Sequence, residues 1–176
     1  MKKLLWVALA CALFALPSHA QTTPAADASV GYSYLRVTGS NGMNLNGVSG
    51  SVSYNANDWF GLVGDLGVYH GSPFGIGFTA TTYTFGPRFS YRKDSRVAPF
   101  AQALFGGAHF AASSGGFGAT SNPFAYSIGG GADVPLGSSD RIGLRPQFDY
   151  IGFRSNGSTS NSVRISVAFV VHLGQR

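Results

Sequence analysis

The residues best suited to chemistry are charges held at alternate positions. Asp65, Asp133 and Asp149 fall on the small-residue side of an apolar alternation, and so do Arg88, Arg145 and Arg164. Three carboxylates and three guanidiniums on one side of a wall support two chemistries. In a wet channel they line a path for ions or protons. In a narrow interior they pair and fill it, because a buried charge is tolerated only when paired and hydrogen-bonded. An interior formed by about eight strands has room for side chains alone, which favours the filled interior.

The remaining candidates carry less. His70, His109 and His172 lie on three separate strands without metal-ligand spacing, so no metal is expected. A serine nucleophile needs a base and an orienting acid. The chain has no Glu, and no Ser/His/Asp set converges in parity and depth, so no catalytic residue is assigned. Gly129-Gly130-Gly131 opens no helix and lacks the context of a phosphate loop. It reads as a bend or a close backbone approach inside a strand. Asn156-Gly157-Ser158 matches a glycosylation pattern, but Asn-Gly is first of all a hairpin turn. No cofactor motif is present, and no cofactor is expected.

The elements that position these charges are strands. Residues 1–20 read as a secretory signal peptide: Lys2 and Lys3, an apolar run from Leu4 to Leu16, and Ser18-His19-Ala20 before the cleavage point. The only cysteine, Cys11, lies in that run, so the exported chain has neither disulfide nor thiolate. Residues 21–27 read as a short N-terminal extension and 28–174 as one β-barrel. The formal charge is +5 with no long basic run, which gives no footprint for nucleic acid. Only 11% of residues are charged, 14% are aromatic and 25 are Gly. That balance suits a wall with lipid on one side and a crowded interior on the other. Past residue 20 no apolar stretch is long enough for a membrane helix, and a membrane protein without such helices must be a closed barrel.

Period-2 alternation runs through eight segments of about ten residues, the length of a tilted membrane strand. In the last, Val163, Ile165, Val167, Phe169 and Val171 alternate with Arg164, Ser166, Ala168 and His172; Val170 is the exception. Near Leu35 the first strand changes phase, consistent with a bulge. Val97 to Phe110 is too uniformly small and apolar to orient. Pro87 and Pro146 each remove a ladder hydrogen bond and predict local bulges. Gly39–Asn44, Gly71–Gly77, Ala112–Pro123 and Arg154–Asn161 read as the longer connections, expected outside the cell. Tyr32, Tyr34, Tyr54, Trp59, Tyr83, Tyr91, Phe124 and Tyr126 are candidates for two aromatic girdles.

Several short motifs recur in order: Gly31-Tyr32-Ser33-Tyr34, Asn46-Gly47, Gly86-Pro87-Arg88, Pro99-Phe100-Ala101, Gly129-Gly130-Gly131-Ala132-Asp133, Asp149-Tyr150 and Arg164-Ile165-Ser166. By these the chain resembles the outer-membrane protein β-barrel domain family, the small OmpA/OmpX-type barrels, over nearly all of 28–174. The resemblance implies an all-β, eight-stranded antiparallel up-and-down transmembrane β-barrel in the outer membrane. It implies outer-membrane lipid as its surroundings and the outer-membrane assembly machinery as a partner in biogenesis. A monomer is expected.

The expected role is structural, with the six charges paired inside and no catalysis. The alternatives are a minor channel, a barrel enzyme acting on lipid, and a soluble periplasmic carrier with its apolar face inward. A two-residue turn at Asn156-Gly157 places Asp149 opposite Arg164, Tyr150 opposite Val163, Phe148 opposite Ile165 and Pro146 opposite Val167. An Asp149–Arg164 ion pair inside the barrel follows from that register.

Overall fold

The structure is a computed structural model that describes residues 24–38, 42–72, 75–92, 97–114, 117–137, 141–155 and 157–174. The expected signal peptide with Cys11, residues 21–23 and Asn156 lie outside the described residues.

The strands are β1 (Ala26–Thr38), β2 (Met43–Asn55), β3 (Phe60–Gly71), β4 (Gly77–Ser90), β5 (Ala98–Ser114), β6 (Phe117–Ser121), β7 (Phe124–Pro135), β8 (Ile142–Ser155) and β9 (Ser158–Leu173). Every pairing is antiparallel, each strand with the next except that β6 and β7 both pair with β5, and β1 pairs with β9 to close the barrel. Nine strands make an eight-stranded wall because β6 and β7 are two parts of one strand. Phe110 of β5 faces Ser121 of β6, and Gly107 faces Phe124 of β7. Three residues back on one side match three forward on the other, so the register runs on unbroken. The interruption falls at Pro123, which has no N–H to give; its carbonyl still accepts from Ala108 N at 3.0 Å.

Alternation decides which face is which. Along β9, Ile165, Val167, Phe169 and Val171 are exposed while Arg164, Ser166, Ala168 and Val170 are buried. The same holds round the wall, where Val52, Leu66, Phe85, Ile128 and Phe148 all point outward. So continuous an apolar surface has lipid as its solvent. A soluble carrier needs the opposite facing. Aromatic residues mark the terminus end of this belt, where the Trp59, Phe60 and Phe89 rings pack with centroids 5.5–5.9 Å apart. Elsewhere on the outside, tyrosines lie over glycines of the neighbouring strand. A Cβ on Gly152 would come within 2.2 Å of the Tyr126 ring, and one on Gly107 within 2.5 Å of the Tyr83 hydroxyl.

Several expectations change. Leu35 marks no bulge: β1 keeps one register against both neighbours, and Leu35 points inward at 0% exposure. Its apparent phase change arises because the interior is itself apolar at that level. Pro87 and Pro146 sit in no bulge either. The β4–β5 ladder skips Gly86 and Pro87 and resumes at Arg88↔Gln102 in the same register. The β7–β8 ladder likewise lapses opposite Pro146 and resumes at Val134↔Leu144. Each proline keeps its pairing on the other edge, with Leu62 and Val167 respectively. Ala112–Pro123 and Arg154–Asn161 are mostly strand, not loop. β1 begins at Ala26, which brings Asp27 into the wall instead of an extension. The β8–β9 register places Asp149 opposite Arg164 and Pro146 opposite Val167, with Gly157 at φ 80° in the turn.

Candidate functional site

The interior is filled in two layers. The layer nearer the chain termini is polar. Arg88 of β4, Arg145 of β8 and Arg164 of β9 are each about 1% exposed and reach across the lumen. They have room because the facing β1–β2 wall is built of small residues, including Ser33, Ser49, Ser51 and Ser53. Arg145 binds Asp133 through Nε and, at 2.8 Å, through Nη2. The same Nη2 donates to Asp27 Oδ1 at 2.8 Å. Arg88 approaches Asp27 at 3.4 Å and donates to Gln102 Oε1 at 2.9 and 3.0 Å. Gln102 passes the chain on, its Nε2 donating to Asp149 Oδ1 at 3.2 Å. Asp149 accepts from Arg164 at 2.9 Å and from Gln147 at 2.8 Å. Arg164 reaches across to Asp65 at 2.6 Å. All six charges named from the sequence therefore lie in one connected network.

Three members of that network were not legible as such. Asp27 is fully buried and ties β1 to Arg145, Arg88 and Asn55 Nδ2. Gln102 lies on β5, whose small residues give no facing signal. Phe100, on the same strand, has two guanidiniums against its ring, with Arg88 Cζ 4.4 Å and Arg145 Cζ 5.2 Å from its centroid. Asp27 makes four buried carboxylates against three guanidiniums. Arg92, just below β4, is a further cation at this end and donates to Asn55 Oδ1 at 3.2 Å. Burial pushes its guanidinium below the ordinary arginine value, against the pull of Asp27 and Asp133. The glycine run on β7 makes space: a Cβ on Gly129 would lie 2.4 Å from Asp149 Oδ1, and one on Gly131 would lie 3.0 Å from the Phe100 ring.

Above the network the lumen turns apolar. Leu35, Leu45, Tyr69, Ala80, Ala108, Ala125, Ile151 and Phe153 form one buried cluster, joined by Val37, Phe78 and Phe110. Phe110 meets Phe153 edge-on at 4.9 Å and Phe78 at 5.6 Å. Tyr69 joins the layers, its ring in the apolar cluster and its hydroxyl 3.3 Å from Arg164 Nη1. The ring folds back over Gly67, where a Cβ would lie 2.3 Å from the hydroxyl.

The histidines stay apart. His70 bonds Thr79 at 3.0 Å and His109 bonds Asn122 at 2.6 Å, both on the outside, while His172 is half-buried at the terminus end. Among the described residues no three metal-binding side chains come together.

A closed antiparallel wall, apolar outside and filled with paired charge inside, defines a transmembrane barrel of the bacterial outer membrane. The chain belongs to the outer membrane protein beta-barrel domain family, which matches residues 6–172. Among solved structures it is similar to Neisserial surface protein A (NspA), with a TM-score of 0.72 at 14% identity over 85% of this chain and 97% of that one. It is similar to Ail, the attachment invasion locus protein of Yersinia pestis, with a TM-score of 0.57 at 17% identity over 82% and 97%. The N-terminal barrel of Pseudomonas aeruginosa OprF gives 0.57 at 14% over 85% and 99%. At these identities the likeness is one of fold. No curated protein matches the sequence.

Proposed function

We propose that this protein is a structural component of the outer membrane, a monomeric barrel that neither conducts nor catalyses. The observation that carries this reading is the double filling of its lumen. An ion entering from the terminus end meets guanidiniums and carboxylates already satisfied by one another. Leaving at the other end, it would have to cross the cluster around Leu35, Leu45, Ile151 and Phe153, which offers no charge and, beside Tyr69, only scattered hydroxyls such as those of Ser127 and Ser162. The minor-channel alternative needs a wet path past both layers. The enzyme alternative needs a nucleophile, a base and an orienting acid; His70 holds the Thr79 hydroxyl and His109 the Asn122 amide oxygen, and among the described residues neither imidazole is bonded to a carboxylate that would orient it. The surrounding partner in this reading is outer-membrane lipid, with the assembly machinery acting during insertion.

Planar-bilayer recording of purified protein tests the reading. The expected record is baseline conductance. Large, stable, protein-dependent steps would overturn the closed-lumen assignment and favour the channel.

A further inference from the structure

The acidic residues keep to one part of the molecule. All seven are Asp. Asp27, Asp65, Asp133 and Asp149 are buried in the lumen. Asp58, Asp94 and Asp140 belong to the connections β2–β3, β4–β5 and β7–β8, at the end that holds the termini. Short turns at that end face the periplasm in this class of barrel, so the opposite end faces the cell exterior. The sequence joining the strands there contains no Asp and no Glu. The outward residues of the adjoining strand ends include Arg36, His70, His109 and Arg154, all exposed.

Among the described residues neither arginine has a counter-ion. Arg36 donates to Asn44 Oδ1 at 3.2 Å, a neutral acceptor. Arg154 stands between Phe124 and Thr159 in the ladder, and neither can neutralise it. Arg36 faces Val163 and Arg154 faces Thr159, so the two flank β9 four residues apart along it. That offset is about 13 Å along the strand and about 10 Å across two strand spacings. Two extended side chains over that span can reach one headgroup that carries two phosphates, or one phosphate each. Just below them Tyr32 and Tyr150 begin the lipid-facing belt, 58% and 39% exposed. The guanidiniums therefore stand at the depth where acyl chains give way to headgroups.

We propose that this outer rim is a phosphate-binding collar for lipid of the outer leaflet, with Arg36 and Arg154 as the phosphate ligands. A guanidinium matches a phosphate bidentately, as a planar fork on two oxygens. A rim without carboxylates neither repels such a headgroup nor needs a divalent cation to bridge to it.

Purified full-length protein in detergent, titrated with phosphatidic acid or phosphatidylcholine and read by native mass spectrometry, tests this. Wild-type protein retains phosphatidic acid in preference to phosphatidylcholine. The Arg36→Gln/Arg154→Gln variant loses phosphatidic acid occupancy by about tenfold or more, since each lost contact is a charge-assisted hydrogen bond. The Arg36→Lys/Arg154→Lys variant, with the charge but not the fork, falls between them. Unheated gel mobility shows that each variant is folded. Wild-type occupancy in the Gln variant overturns the proposal, as does the absence of any lipid preference in wild type. So does tight binding of a soluble sulfated oligosaccharide with no preference among lipids, which would make the rim a receptor for free polyanions.

Discussion

Arg164 and Asp149 are opposite each other in the ladder, but they are not equivalent partners. Arg164 serves two carboxylates, Asp65 at 2.6 Å and Asp149 at 2.9 Å. Asp149 has Gln147 and Gln102 as well. Arg164→Ala orphans two buried charges and is expected to cost about 3–5 kcal/mol, the range for breaking a buried pair. Asp149→Ala leaves Arg164 with Asp65 and costs less. A double-mutant cycle in reversible vesicle unfolding should give a coupling between about 0.5 and 3 kcal/mol. A value near zero would mean the pair contributes nothing as a pair. Asp27→Asn keeps the shape and removes the charge shared by Arg145 and Arg88. It should lower stability by at least as much as Asp149→Ala, because it leaves Arg88 and Arg145 beside each other without the carboxylate they share. The three arginines and three of the four aspartates were legible because each interrupts a strong alternation of large apolar residues. Asp27 was not: its neighbours Ala25, Ala26 and Ala28 are too small to show a face.

At the scale of the strand, depth decides the cost of a charge. Val167 lies mid-way along the outward face of β9, and Asn161 lies six residues nearer the outer rim on that face. Val167→Arg is expected to destabilise by about 2–4 kcal/mol and Asn161→Arg by about 0–1 kcal/mol. Equal responses in vesicle unfolding would show that the strand does not cross the bilayer as assigned. Outside β5 the outer face was legible because lipid demands apolar residues at every second position. The lower inner face was legible because it is polar by contrast. The upper inner face was not, because Leu35, Leu45 and Phe153 are apolar where a lumen is expected to be polar, and so Leu35 read as a change of phase. The prolines misled for a related reason. A missing N–H was expected to shift the register, but a barrel strand has two ladders, and Pro87 and Pro146 each interrupt only one.

For the molecule as a whole, closure of the wall and closure of the lumen depend on each other. β1 reaches β9 only if its interior residue Asp27 meets the guanidiniums of β4 and β8, and those guanidiniums are neutralised only when β1 is in place. The apolar layer adds a second seal at the outer end. Two seals in series give a prediction that one would not. Leu45→Ser with Phe153→Ser hydrates the upper layer but leaves the charge network whole, so planar-bilayer current should stay at baseline. Adding Arg88→Ser and Arg145→Ser, with Asp27→Ser and Asp133→Ser to keep the lumen balanced, removes most of the lower seal. Small, stable current steps should then appear, provided gel mobility shows a folded barrel. Current from the first variant alone would place the whole barrier in the apolar layer. Silence from a folded second variant would mean that residues outside these two layers close the lumen.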